Sequence, residues 1–523
     1  MNKMKKTVLS VLAAVYAAFL FAGGTDPGKL LLLSASKSRP VVSGTAESVT
    51  SAEPLDQLVV SGATGAVISV KDGSGREYLK TAVLPQVPFI VCGSLGTHTV
   101  SVLDKKGAET ASVKFTVDAH TRISDGAKIE ELFNLLYKGM CVYSPDGTEQ
   151  IKVKGETYKY YVCWVLDNNE TNKGMQYFKP YAAGMIDLFG KYQRPDGMIW
   201  SFISPDDGNP GYFEQRNADL KYAQRVDSFV HFVRQPNENH VEYLYVDLLY
   251  NAWKANGDAE WMKSKLTIAA RALDYSMNDT LRWSKRYKLL KRPLTIDSWD
   301  FQVDDEYTPE CIIGKTMAIV PGKTKFGVYF GDNTGYAEAC DQLAEMMSYA
   351  GMKDEAAKYK NRAKDIWDAL NKLSWNGRFF THFVDDDPTV KRNLGVDMST
   401  QIAQGNCYSV NRRLPHEQNK AIIETYLNLK NNLPVGSPGE WYAIYPPFEK
   451  GFGDHNGKWQ YMNGGVAGHA AGELARGAYE NGYEDYGSDI LMRLLDLGNK
   501  YGEGKRVWFA YTCLLYTSIR LWM

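Results

Sequence analysis

Ala337-Glu-Ala-Cys-Asp-Gln-Leu-Ala-Glu-Met-Met-Ser-Tyr349, a break at Gly351, and a second run from Glu355 to about Leu373 decide the fold. Helix, glycine stop, acidic residue, helix is the pattern of an αα-hairpin. The same plan runs from Val241 to Trp253, stops at Asn256-Gly257-Asp258 and resumes from Trp261 to about Tyr275. It returns from Val466 to Tyr479, breaks at Asn481-Gly482-Tyr483 and resumes from Tyr486 to about Leu497. One hairpin cannot bury both of its faces, so neighbours must stack into a ring or a solenoid. Loops of roughly forty to sixty residues follow these hairpins, far above the usual connection length, and favour the ring. The stretches around 193–220, 283–333 and 374–400 are rich in Trp, Asp, Gly and Pro, the composition of loops that build sites. The expected fold is mainly α: an (α/α)6-type toroid over 126–512, possessing a loop-walled cleft.

Working outward, residues 43–121 have a different texture. Short runs such as Gln57–Ser61, Ala66–Val70, Phe89–Cys92 and His98–Leu103 alternate with turns at Asp72-Gly-Ser-Gly and Lys105-Lys-Gly. They predict a small, immunoglobulin-like β-sandwich, to which no chemistry is assigned. Before it, Lys3, Lys5 and Lys6 precede an apolar run from Val8 to Phe21 and the small residues Ala22-Gly-Gly24. Residues 1–24 read as a secretory signal peptide, so the protein is expected to be exported, periplasmic or extracellular, with no membrane span once the leader is removed. At the other end, Cys513-Leu-Leu-Tyr-Thr-Ser resembles translated sequencing-adapter sequence. Residues 513–523 are expected to be a non-native tail and the natural chain to continue past 512.

The chain has 523 residues, about three domains at ~150 residues each. With 60 basic and 61 acidic residues it lacks the bulk positive field of a nucleic-acid binder. Seven Cys without a CxxC pair argue against a zinc ribbon, and eight His without an HExxH spacing argue against a zinc hydrolase. No Walker or Rossmann fingerprint appears, so neither metal nor cofactor is expected. The 12 Trp and 33 Tyr suit stacking on sugars as well as filling cores.

Three fragments carry a resemblance. Tyr161-Val-Cys-Trp-Val-Leu-Asp167, Ile296-Asp-Ser-Trp-Asp300-Phe and Gln460-Tyr-Met-Asn463-Gly-Gly-Val resemble motifs of the six-hairpin toroid glycosidases, among them trehalase, amylo-α-1,6-glucosidase and α-L-rhamnosidase. The resemblance covers about 125–505. It implies a glycoside hydrolase acting on an oligosaccharide or polysaccharide, and it makes Asp300, at the matched place of the Trp-Asp motif, the general acid. Departures from the pattern are Asp297-Ser where Glu-Ser-Gly often stands, and Val466-Ala467 in place of Val-Trp-Pro.

Glycoside hydrolysis needs two carboxyl groups, one of them kept protonated, and inversion leaves room between them for a water. Asp297, Asp300, Asp304, Asp305 and Glu306 crowd around Trp299 and Phe301, which would raise the pKa of one member. A solvated acidic loop or a weak calcium site is the plainer alternative. Glu440, in the ring-packed turn Ser437-Pro-Gly-Glu-Trp441-Tyr, is the expected base; a carboxylate that only orders the turn is its alternative. Trp164, Asp167, Trp299, Trp441, His455, Trp459 and Asn463 are the expected sugar-binding residues. The leading reading is an inverting, exo-acting glycosidase. A polysaccharide lyase using His231, His240, Arg225 and Arg234 is the second reading, and a catalytically silent carbohydrate-binding surface protein the third.

Overall fold

The structure is a computed structural model. It describes residues 31–34, 49–118, 128–133, 149–177, 183–205, 220–296 and 319–501, less short gaps at 55, 74, 94, 161–162, 229, 320–321, 323, 450–457 and 460–461. The expected leader, the expected foreign tail, Trp299, Asp300 and His455 lie outside the described residues. The chain divides into two units, residues 1–122 with 141–147, and residues 123–140 with 148–523.

The first unit is built from two sheets. Strands β1 (Leu31–Ser34), β3 (Gln57–Ser61) and β6 (Gln86–Ile90) form one; β2 (Ser51–Ala52), β8 (Glu109–Val117), β7 (Gly96–Leu103), β4 (Val67–Lys71) and β5 (Glu77–Ala82) form the other in that order. Alternation explains the packing: Leu58 and Val60 of one sheet, and Val70, Val100, Val102 and Phe115 of the other, share a core. The first strand lies outside the 43–121 range read from the sequence, because Leu31–Ser34 pairs with Leu58–Ser61.

The second unit contains five αα-hairpins among its described residues. They are α1 (Val165–Met175) with α2 (Ala183–Lys191), α3 (His240–Asn256) with α4 (Ala259–Asn278), α5 (Phe330–Tyr349) with α6 (Lys353–Ser374), α7 (Gly405–Ser409) with α8 (His416–Lys430), and α9 (Gly468–Glu480) with α10 (Glu484–Tyr501). The turns follow local chemistry. Gly257 takes the left-handed conformation at φ 71°, its N–H bonded to Trp253 O, and the Asp258 carboxylate then accepts from Trp261 N at 2.9 Å to start α4.

Burial separates an inner layer from an outer one. In α5, sixteen of twenty residues are buried, whereas α6 buries one stripe, Ala356, Tyr359, Ala363, Ile366 and Leu370, at helical spacing. Polar side chains of the inner helices bond round the ring. Asn169 (α1) donates to Asp247 (α3) at 3.0 Å, and Gln342 (α5) donates to the same carboxylate at 2.7 Å. Ser409 (α7) donates to Thr334 (α5) at 3.1 Å, and Asn411 to Glu473 (α9) at 2.5 Å. Lys173 (α1) closes the circuit on Glu473 at 3.0 Å. The unit is thus a helical toroid.

One boundary differs from the sequence reading. Helix α5 begins at Phe330, seven residues before Ala337, through a stretch whose two glycines and Asp-Asn read as loop. The reason is packing: a Cβ on Gly335 would lie 2.4 Å from the Tyr243 ring, while Asn333 bonds Leu290 N and O, and Arg292 pairs with Asp332.

Candidate functional site

Within each hairpin the link is short, as at Gly257-Asp258 and Asn481–Tyr483, so the long connections emerge where the inner helices begin. Those beginnings gather at one end of the ring. A Cβ on Gly405, at the start of α7, would meet Tyr329 and Phe330 at the start of α5, and Gln404 before α7 meets His469 in the first turn of α9 at 3.0 Å. This end is the mouth.

Two carboxyls hold its α1–α3 side. Asp167, in the first turn of α1, is pushed up to about 8, mainly by burial and then by Glu238 and Glu170 nearby. Glu238, two residues before α3, is pushed up to about 7 by burial, against the pull of a Ser201 hydrogen bond and of Arg234, Arg292 and Arg282. His240 Nε2 stands 3.8 Å from Glu238 Oε1, and burial with the same three guanidinium groups keeps the imidazole neutral. The backbone is fixed firmly here: Glu238 O accepts from both Arg234 and Arg282, and Arg282 also donates to Asn239 Oδ1 at 2.7 Å. Burial without full charge compensation is how a carboxyl stays protonated near neutral pH.

Aromatic side chains stand before two of the inner helices. Trp164, immediately before α1, stacks on Phe202 with centroids 4.0 Å apart. On the α7–α9 side, Tyr442 and Tyr445 stack at 5.1 Å, with Trp459 at 5.9 Å from Tyr442 and 6.2 Å from Tyr445. Trp459 is 45% exposed and sits at φ 66°, a left-handed backbone that a bulky residue adopts only under constraint.

Three expected site residues take other parts. Glu440 is fully buried, and both its oxygens are engaged: Oε1 accepts from Tyr486 and Arg493, Oε2 from Arg493 at 2.8 Å. A carboxylate clamped in this way ties the 437–441 turn to α10. Trp441 is 1% exposed, under the Arg493 guanidinium at 4.4 Å, and offers no platform. Asn463 is also fully buried; its amide accepts from Phe448 N and donates to Phe448 O, so it shapes the rim. Of the lyase candidates, Arg234 is spent on Glu242 and on the carbonyls of Ile199 and Glu238.

Trp164, Asp167 and Trp459 remain at or beside the mouth, while Trp299, Asp300 and His455 fall outside the described residues. Sequence reasoning missed Glu238, Arg292, Gln404 and His469. The signal available for the first was Gln235-Pro-Asn-Glu-Asn-His240, a polar run leading directly into an inner helix. Among the described residues, no group of three or more His, Cys, Asp or Glu is arranged to hold a metal, and no helix is long and apolar enough to cross a membrane.

No family model matches the chain, and no curated protein matches it. Among solved structures it is similar to the GH63 mannosylglycerate hydrolase from Thermus thermophilus in complex with glucose, at 13% identity and a TM-score of 0.46, over 70% of this chain and 95% of that one. It is also similar to a rhamnosidase from Klebsiella oxytoca with rhamnose bound, at 10% identity and a TM-score of 0.40, over 86% of this chain and 80% of that one.

Proposed function

We propose that the helical unit is a glycoside hydrolase whose mouth receives one end of an oligosaccharide. The observation that carries this reading is the Asp167–Glu238 pair, two buried carboxyls raised to about 8 and about 7 beside stacked aromatic rings. A protonated carboxyl both donates and accepts, so the pair is suited to the neighbouring hydroxyls of a sugar ring. Trp164 supports an apolar sugar face, and the Tyr442–Tyr445–Trp459 group takes the next residue of the substrate.

The Trp-Asp motif makes Asp300 the group that protonates the leaving oxygen. The reaction is inverting: an ionised carboxylate, one that is not Glu440, activates a water on the opposite face of the sugar. Exo action follows from long connections gathered at one mouth, and the leader sequence supports export to the periplasm or beyond. The neutral His240 and the committed Arg234 favour hydrolysis over a lyase, which needs a free cation to neutralise a uronate.

The experiment is a panel of aryl glycosides and natural oligosaccharides, with released reducing ends measured for the wild-type chain and for Asp300→Asn. A glycosidase releases reducing ends without ultraviolet-absorbing unsaturated product, and the variant loses ~10³-fold or more in kcat with little change in KM. Unchanged turnover removes Asp300 from the mechanism; an unsaturated product makes the protein a lyase; binding without any release makes it a silent carbohydrate binder.

A further inference from the structure

We propose that the mouth selects acidic oligosaccharides, chains bearing carboxylate or sulfate groups, through a cationic lip built on the 283–290 hairpin and the 385–391 turn. The proposal deepens the glycosidase reading and rests on it.

Two neighbouring connections assemble the lip. One joins the end of α4 to the start of α5 and the other joins the end of α6 to the start of α7, so both lie at the mouth end. In the first, Trp283–Ser284 pairs with Leu289–Leu290, and residues 285–288 form the tip between them. In the second, Phe383–Asp385 pairs with the strand Phe326–Tyr329, which runs directly into α5. Polar bonds lock the two together. Ser284 donates to Asp386, Lys291 donates to the same carboxylate at 3.4 Å, and the Tyr287 hydroxyl donates to Asp385 O at 3.4 Å. Tyr287 N donates to Ser284 Oγ at 3.0 Å within the hairpin. Charges carried on a fixed turn lose little backbone freedom when a ligand arrives.

The charges of the lip do not balance. Asp385 is taken by Arg392 at 2.8 Å, and Asp386 by Ser284 and Lys291. Asp387 accepts from Thr389 N at 2.9 Å and Thr389 Oγ1 at 2.7 Å; these bonds hold its carboxyl below the ordinary range, and Lys325 and Arg286 add to the effect. Beside this last aspartate stand Lys285, Arg286, Lys288, Lys325 and Lys391, which have no ion-pair partner among the described residues. All but Lys325 are exposed. Lys288 takes a left-handed backbone at φ 54°, a conformation that hairpin tips normally give to Gly or Asn, so a cation is kept here against local preference.

Two features favour a glycan over another polyanion. The strand Phe326–Tyr329 joins the lip to the mouth: Lys325 stands four residues before Tyr329, ~13 Å along an extended chain, a span that an oligosaccharide bridges and a monosaccharide does not. The chain as a whole balances 60 basic residues against 61 acidic ones, so the positive field is local and short of the stripe that tracks a nucleic-acid backbone. Exposed charge pairs are weak singly and are screened by salt, so the lip acts through several contacts at once on the part of the substrate that projects from the mouth. It changes affinity and leaves the chemical step to the mouth.

The test is titration calorimetry on the full chain, using sugar pairs that differ only in charge: hexagalacturonate with its methyl ester, and sulfated maltohexaose with maltohexaose. The charged member of at least one pair is expected to bind about tenfold more tightly at about 20 mM salt, with the advantage gone near 0.5 M, and the pair with the larger advantage identifies the anionic group. Lys285→Glu with Arg286→Glu removes the advantage, and Lys325→Gln reduces it, which preserves the test should the first variant not fold. Lys420→Glu, on the exposed face of α8, leaves it unchanged. Equal binding within both pairs, no binding of either charged probe, an unchanged preference in the folded double variant, or hexametaphosphate binding as tightly as the acidic sugars overturns the proposal. Hydrolysis of neutral substrates without any charge preference removes the lip alone, whereas charge preference without hydrolysis of any substrate removes the glycosidase reading.

Discussion

Lys173 of α1 and Glu473 of α9, three hundred residues apart in the chain, meet at 3.0 Å and complete the polar circuit of the inner helices. Both are buried in large part, and Glu170 and Asp247 lie within 4.0 Å of the same ammonium. Burial alone would lower the lysine, but Glu170, Glu473 and Asp247 hold it well above its ordinary value and fully charged. Lys173→Met leaves three carboxylates around an apolar side chain. Removing one partner of a buried ion pair typically costs ~3–5 kcal/mol. The expected result is a loss of about that size in urea unfolding, whereas a change below about 1 kcal/mol would mean that the pair is screened like a surface one.

The mouth carboxyls predict an opposite dependence on pH from that of an ordinary ion pair. Asp167 is raised in the folded chain, so the protonated form is favoured by folding. Its contribution to stability is fully present below the unfolded pKa of ~4 and is lost progressively as pH rises through about 8. Glu238 follows the same sign with its upper limit at about 7. Urea midpoints should therefore fall between pH 5 and pH 8, and Asp167→Asn should flatten that slope and be more stable than wild type at pH 8. An identical slope in the variant would show that Asp167 is not held protonated.

Much of the ring was legible because turn chemistry is local. Asn256-Gly257-Asp258 announces a stop and a start, and those residues do cap α3 and α4. The start of α5 was hidden because its glycines serve a distant ring, Tyr243, which no local pattern reveals. The candidate site was legible in part for a similar reason. Trp164 and Asp167 stand in a motif at a helix start, whereas Glu238 owes its raised carboxyl to burial, which outweighs the opposing pull of three arginines. The Glu440 clamp was not legible because its partner Arg493 arrives from α10, more than fifty residues later.

Glu440 separates a structural carboxylate from a catalytic one. Its contacts predict that Glu440→Gln weakens the junction of the 437–441 turn with α10, because Arg493 loses a charged partner while Tyr486 keeps an acceptor. The expected effect is a stability loss of ~2–4 kcal/mol with kcat of the folded enzyme within about threefold of wild type. A fall in kcat of ~10³-fold at unchanged stability would instead restore Glu440 as the base.

Trp459 combines exposure with backbone strain, and two substitutions separate those properties. Trp459→Ala removes the ring but keeps a non-glycine residue at φ 66°, so stability should change little while the platform with Tyr442 and Tyr445 is lost. Aromatic stacking of this kind is worth ~0.5–1.5 kcal/mol, which predicts a rise in KM of up to about tenfold for longer oligosaccharides and none for a monosaccharide aryl glycoside. Trp459→Gly removes the ring and the strain together, and relief of a left-handed conformation should raise stability by ~1 kcal/mol. A gain in stability joined to a loss in affinity is the mark of a residue held for binding at the expense of the fold. If the glycine variant is less stable than the alanine one, the indole is a structural plug, and the second sugar position must be sought elsewhere on the mouth.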